Sequence, residues 1–174
     1  MSETGLKIRV VGDPVLRKKA RKVAKVSMDH AQTLSRMAQF MYASKGIGLA
    51  APQIGLNQRL IVVDAGTGLY KLVNPRITRK EGKQVMEEGC LSVPGVYVKI
   101  KRARKVCIEA MDESGKPQKI ECQDLLACVF QHEIDHLEGK LILDYASLLK
   151  KLSLQKKLKG LVNEKPAQKA PGLV

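Results

Sequence analysis

The stretch Asp124 to Gly139, Asp-Leu-Leu-Ala-Cys-Val-Phe-Gln-His-Glu-Ile-Asp-His-Leu-Glu-Gly, constrains the fold more than any other part of the chain. Asp124 is placed to cap a helix and Gly139 to end it, and nothing between them breaks one. On that helix His132 and His136 stand four residues apart, so both imidazoles lie on one face within reach of a single metal ion. Glu133 lies about 100° further round, close enough to touch a water on that ion without displacing it. Leu126, Phe130, Ile134 and Leu137 form an apolar stripe, and Leu125, Cys128 and Val129 continue the histidine face. Ala127, Gln131, Asp135 and Glu138 make up the third side, where Asp135 reads as structural. The expected helix is therefore buried on two sides, which supplies the rigid support a metal site needs. The plainer alternative is a core helix that merely accommodates two histidines, one hydrogen-bonded and one exposed.

A catalytic site of this kind takes three protein ligands and leaves a position open. Among Cys90, Cys107, Cys122 and Cys128, the candidate for the third ligand is Cys90. It opens a small, turn-rich segment, whereas Cys107 falls in a strand pattern and Cys128 in an apolar helix, where a free cysteine usually packs. No Cys-x-x-Cys spacing occurs, which argues against a fully closed four-ligand site. The N-terminus lacks the apolar core of a signal peptide, so a cytoplasmic protein with reduced thiols is expected.

Ser27 is placed to cap a first helix over roughly 27–44, with Leu34, Met37, Ala38 and Met41 at helical spacing. Directly after it comes Gly46-Ile47-Gly48-Leu49-Ala50-Ala51-Pro52-Gln53, whose small residues let another backbone or a ligand approach closely. Gln53 is the one polar side chain there with an N–H to donate. The segment lacks the Gly-Lys-Ser/Thr ending of a phosphate loop. Leu60–Asp64 and Tyr70–Asn74 read as strands, the second closed by Pro75, and Lys83–Glu87 as a further strand leading to Glu88-Gly89-Cys90-Leu91-Ser92. Val96, Val98 and Ile100 alternate with polar residues, and Lys105–Met111 and Gln118–Cys122 flank a hairpin turn at Glu113-Ser114-Gly115-Lys116. Leu141-Ile142-Leu143 resembles a short strand, and a Leu/Lys-rich helix is expected over about 145–162, followed by a disordered tail over 164–174.

At 174 residues with 44% hydrophobic content, the chain is expected to form a single domain over 1–163 with its own core. The elements read as an α+β fold, with mixed or antiparallel sheets around the His-Glu-x-x-His helix and a helix at each end. No apolar run reaches the roughly 18 residues of a membrane span. The net charge of +14 favours a polyanionic partner, and RNA is the abundant one, although lysines on a surface helix also simply keep it soluble. Aromatic content of 3% without tryptophan argues against a base-stacking platform.

Three segments, Gly46 to Gln53, Glu88 to Ser92 and Gln131 to His136, resemble in order and separation the signature motifs of peptide deformylases. The resemblance spans nearly the whole chain and implies that Cys90, His132 and His136 bind a divalent metal, with Glu133 as acid and base. It further implies that Gln53 and the Leu91 N–H stabilise an oxyanion. The substrates implied are N-formyl-methionyl peptides and nascent chains, from which formate is released. Fe2+ is the expected ion in the cell, with Zn2+ or Ni2+ as substitutes, and the basic C-terminal helix implies contact with the ribosome. The Gly95-Val96-Tyr97 segment lacks a basic residue that some relatives carry near the substrate. On this reading the peptide lies extended beside Gly46, Ile47 and Gly48 as an added strand. Ile47, Leu125, Cys128 and Val129 line a methionine pocket, and Glu88 orients a ligand or its loop. Two rivals are a zinc protease, which uses the same His-Glu-x-x-His helix, and a non-catalytic RNA- or ribosome-binding module.

Overall fold

The computed structural model describes residues 5–154, and its helices and antiparallel sheets form an α+β fold. Helix α1 spans Met28–Ala43 and helix α2 spans Asp124–Leu137. Strands β1 (Gly48–Ala50), β2 (Leu60–Val63), β3 (Tyr70–Glu81), β6 (Lys105–Met111) and β7 (Pro117–Gln123) make one antiparallel sheet in the order β1-β2-β3-β6-β7. Strands β4 (Gln84–Glu88) and β5 (Val98–Arg102) form a separate antiparallel pair.

The run Leu60-Ile61-Val62-Val63 carries no polar residue because β2 is covered on both faces. Leu60 and Val62 pack with Leu34, Met37 and Met41 of α1. Ile61 and Val63 turn the other way, into a cluster with Val129, Phe130 and Leu137 of α2. Burying each such large side chain contributes about 1.5–3 kcal/mol, so α2 is anchored along its length and its histidines sit on a stiff rod. Gln131, one residue before His132, adds a polar clamp to the strand end. Its amide donates to the carbonyls of Ala103 and Ala127 (both 2.9 Å), and its oxygen accepts the Ala103 N–H at 3.0 Å. A third cluster joins Cys90, Val93, Val96, Val98 and Ile100 to Leu141, Ile142 and Leu143, seating the cysteine turn and β5 on the segment after α2.

Several expectations need correction. Pro75 does not close a strand: β3 continues through it to Glu81, and the register against β6 shifts between Val73 and Arg76. Asn74 sits there at φ 55, and its side chain pairs with both the N–H and the carbonyl of Val23 (2.9 and 2.8 Å), so the irregularity docks the N-terminal loop. Gln123, in extended geometry, holds the N-cap position of α2 in place of Asp124, without a capping hydrogen bond from its side chain. Asp124 is itself at φ 55, a left-handed conformation that Asp tolerates, and its carboxylate accepts from Arg104 at 2.9 Å. Ile142–Tyr145 is a 3-10 turn, not a strand, since Leu141 and Asp144 close it locally (Leu141 N to Asp144 Oδ2, 2.8 Å). The C-terminal helix begins at Leu148 rather than 145, and its remainder, like the 164–174 tail, lies outside the described residues. Gly139 ends α2 as expected, at φ 72, where a Cβ would lie 2.7 Å from the Arg17 carbonyl oxygen.

Candidate metal centre

Strand β4 ends in Glu88, and the chain then turns through Gly89 and Cys90, the turn closed by Val93 N–H to Cys90 O at 2.9 Å. This turn brings the Cys90 thiol to α2. Its Sγ lies 3.3 Å from His136 Nε2, which lies 3.2 Å from His132 Nε2. The three potential ligand atoms fall within 4.8 Å of one another, and all three residues are buried. Donor atoms converging in a buried space, each with a lone pair to give, fit a transition metal, and one sulfur with two imidazole nitrogens suits a borderline-soft ion.

His132 is held from behind. Its Nδ1 lies 2.8 Å from Glu88 Oε2, which fixes the tautomer that turns Nε2 towards the sulfur. Glu88 is fully buried, a costly position for a charge, and Arg102 supports it with Nε and Nη2 donating to its two oxygens at 2.7 and 2.9 Å. Burial alone would raise the Glu88 pKa, but Arg102 and His132 outweigh it and hold the carboxylate at about 2. Arg102 also donates through Nη1 to Asp135, whose Oδ2 accepts the Tyr145 hydroxyl at 2.6 Å. The Cys128 thiol points at Glu88 Oε1 (3.2 Å), and burial together with that charge pushes its pKa up to about 12, so it stays protonated.

Burial opposes a charge on either imidazole. Contacts with Cys90 and Glu88 overcome it at His132, whose pKa is raised, whereas His136, beside His132 and Arg102, is pushed well below the usual range. Ligation requires both rings neutral, so a cation at this point would release a proton.

Glu133 faces β1. Its Oε2 is buried without a hydrogen-bond partner among the described residues, and burial pushes its pKa up to about 7. Gly48 stands against it: a Cβ at that position would overlap Oε1 and lie 2.8 Å from the carboxyl carbon. The Gln53 amide Nε2 is 3.6 Å from Cys90 Sγ, while its oxygen accepts the Ala50 N–H at 2.8 Å, so the side chain is fixed and its N–H groups face the sulfur. Leu91 follows Cys90 in the turn and abuts Gly46, its Cδ1 being 3.4 Å from where a Cβ would stand there. The fold thus brings Gly48, Gln53, Glu88, Cys90, Leu91, His132, Glu133 and His136 into one neighbourhood. The pocket candidates differ in exposure: Cys128 and Val129 are fully covered, Ile47 is half-buried against the cluster that holds Val129, and Leu125 is exposed.

The family model described as polypeptide deformylase matches residues 6–152. This chain belongs to that family. The peptide deformylase of Halothermothrix orenii is 49% identical over 141 residues, covering 80% of this chain and 92% of the relative. That of Thermotoga maritima is 44% identical over 153 residues, covering 87% and 93%. Among solved structures, a peptide deformylase from Legionella pneumophila superposes with a TM-score of 0.84 at 42% identity, covering 92% of this chain and 99% of that one. The enzyme from Synechococcus elongatus, in complex with actinonin, does so with a TM-score of 0.84 at 41% identity over 90% and 88%.

Peptide deformylases are metal-dependent hydrolases that remove the N-formyl group from nascent peptides, and this chain is an enzyme of that kind. Two residues of the network behind His132 carried no assignment from the sequence. Arg102 had a readable signal: Val98, Ile100 and Arg102 share the buried face of β5 by period two, and an arginine facing inward requires a carboxylate. Tyr145 had none, since only the tertiary fold brings it to Asp135. No helix among the described residues is long and apolar enough to cross a membrane.

Proposed function

We propose that Cys90, His132 and His136 hold the metal on which this deformylase depends, that Glu133 carries the proton, and that Gln53 and the Leu91 N–H steady the developing oxyanion. The observation that supports this most directly is the meeting of one thiol and two imidazole nitrogens within 4.8 Å, beside a buried Glu133 oxygen with no hydrogen-bond partner among the described residues. When bound, the ion activates water at neutral pH and draws electron density from the carbonyl oxygen. Glu133, with a pKa near 7, takes the proton of the attacking water and returns it to the leaving amine. The Gln53 amide is already fixed by Ala50, so it donates to the oxyanion without reorganising. Glu88 holds the His132 ring in register. The ion in the cell is Fe2+, with Zn2+ or Ni2+ as substitutes, which accords with the mixed sulfur and nitrogen set.

The substrate is an N-formyl-methionyl chain laid as a strand along Gly46 to Ala50, its methionine side chain near Ile47, Leu125, Cys128 and Val129. The fully covered Cys128 and Val129 back this pocket, leaving Ile47 and Leu125 nearer its mouth. The enzyme works in the cytoplasm as a single domain and touches the ribosome through its basic C-terminal helix, in keeping with the +14 charge.

The test is anaerobic metal analysis together with formate release from formyl-Met-Ala-Ser. Glu133→Ala is expected to abolish release while the metal stays bound; unchanged turnover overturns the assignment. Comparison with the unblocked peptide separates this reading from a protease. Removal of residues after Leu148 is expected to weaken ribosome binding and its salt dependence more than turnover of short peptides.

A further inference from the structure

Beyond α2 the chain passes Gly139 and folds into the Ile142–Tyr145 turn, which ends at a side chain directed back at the helix. The Tyr145 hydroxyl donates to Asp135 Oδ2 at 2.6 Å and lies 3.5 Å from Arg102 Nη1, and the Tyr145 ring lies over the Arg102 guanidinium, 4.8 Å from Cζ to the ring centroid. Asp135 and Glu88 hold Arg102 from opposite ends: Nη1 goes to Asp135, and the Nε/Nη2 fork goes to the Glu88 carboxylate. Glu88 in turn holds His132 Nδ1 at 2.8 Å. An unbroken line of directed contacts therefore runs from Tyr145 through Asp135 and Arg102 to Glu88 and a metal-binding imidazole.

We propose that Tyr145 is a positioning residue for the metal centre: by fixing Asp135 and covering the Arg102 plane, it sets the angle at which Arg102 presents its fork to Glu88, and so the aim of His132 Nε2. This rests on the assignment of His132 as a ligand. Burial does not account for Tyr145, which is 39% exposed, so its polar and ring contacts give it a role. It is also delivered rigidly. Leu141, Ile142 and Leu143 are core residues packed with Val98 and Ile100, and Arg17 grips Asp144 at 2.6 Å. A guanidinium held on both ends and stacked on a ring has one orientation; released from Asp135 and the ring, it can rotate about its Glu88 contact and carry the carboxylate with it. The segment that leads into the C-terminal helix is thereby tied to the metal.

The experiment compares wild type, Tyr145→Phe, Tyr145→Ala and Arg102→Lys, each loaded with Co2+ under anaerobic conditions. The readouts are the Co2+ visible spectrum, the rate of metal loss to a chelator, kcat and KM on formyl-Met-Ala-Ser, and the thermal midpoint of the metal-free protein. Changing partners that orient ligands typically costs about 10- to 100-fold in metal affinity or activity. Arg102→Lys should fall in that range, and Tyr145→Ala should lose metal about three- to tenfold faster, with a shifted spectrum and lower kcat at near-constant KM. Tyr145→Phe keeps the ring, folds in the same core, and should show a smaller change in the same direction. Tyr145 variants with wild-type spectrum and metal-loss rate, whatever their thermal midpoint, overturn the proposal. A wild type whose Co2+ spectrum lacks the thiolate band, or is unaltered by His132→Ala, instead overturns the ligand assignment beneath it.

Discussion

Gly48 and Glu133 face each other so closely that no side chain fits at position 48: an added Cβ would stand 2.8 Å from the Glu133 carboxyl carbon. Glu133 is only 1% exposed, so its carboxylate has little room to retreat. The glycine of a plain-looking Gly/Ala loop thus sets where the Glu133 carboxylate sits.

Gly48→Ala should therefore displace the Glu133 carboxylate while leaving the thiol and imidazoles in place. Positioned acid-base groups contribute about 10²- to 10⁴-fold, so kcat is expected to fall by at least about 10²-fold with metal content unchanged. Formate release and metal analysis on one preparation check this, and loss of the metal along with activity would contradict it.

Chelation makes a second, independent test. Removing the ion should abolish formate release, and Fe2+, Zn2+ or Ni2+ should restore it. The metal-free protein should also melt lower, because a ligand that binds only the folded state stabilises it by mass action. A thiolate ligand next to ferrous iron is open to oxidation, so in air the iron form should lose activity faster than the nickel or zinc form. Equal decay of all three in a time course would remove Cys90 from the account of that sensitivity.

How far the sequence disclosed this site depended on whether each signal was local. Helix α2 was legible because its apolar stripe, its two histidines one turn apart and its terminal Gly139 lie in one window, and β2 because four consecutive apolar residues need cover on both faces. The extension of β3 through Pro75 was hidden, since only Asn74 bonding Val23 across the fold makes a left-handed residue acceptable there. The network behind His132 was hidden for the same reason. Glu88 carried a local hint in its motif and Arg102 one in its period-two place on the buried face of β5, but Tyr145 acquires meaning only when the turn after α2 closes on the β4 and β5 pair. Cys90 stood between these cases: its turn was visible, while its nearness to His136, 46 positions away, rested on the likeness to a family.

Glu138 supplies a prediction about acid stability. Burial would raise its pKa, but hydrogen bonds from Arg59 and Lys19 outweigh it and hold the carboxyl below its ordinary value of 4.5. A folded-state pKa below the unfolded one contributes stability that is complete above the unfolded value and fades as pH falls through the folded one. Arg59 is 6% exposed and reaches Glu138 Oε1 at 2.7 Å, so Glu138→Ala leaves a buried cation with the Pro75 carbonyl as the one remaining partner of its side chain among the described residues. The loss should be about 1–3 kcal/mol at pH 7 and should shrink progressively below pH 4.5. Urea unfolding of both proteins across that range measures it; a difference that stays constant with pH would show that the ion pair is not its source.

Gln53 separates two jobs held by one side chain. Its oxygen accepts the buried Ala50 N–H at 2.8 Å, and its amide faces Cys90 Sγ at 3.6 Å. Gln53→Ala loses both, so some fall in stability is expected whatever the catalytic role, of the order of 1 kcal/mol for an unsatisfied buried N–H. Gln53→Glu keeps the acceptor for Ala50 and replaces the amide donor by an acceptor. If the amide serves the oxyanion, both variants should lose about 10²- to 10³-fold in kcat, and Gln53→Glu should do so while retaining more of the wild-type stability than Gln53→Ala. The chemistry and the fold are then told apart in one pair of proteins. A Gln53→Glu enzyme that turns over at the wild-type rate would leave Gln53 as a brace for β1 and assign the oxyanion to other donors.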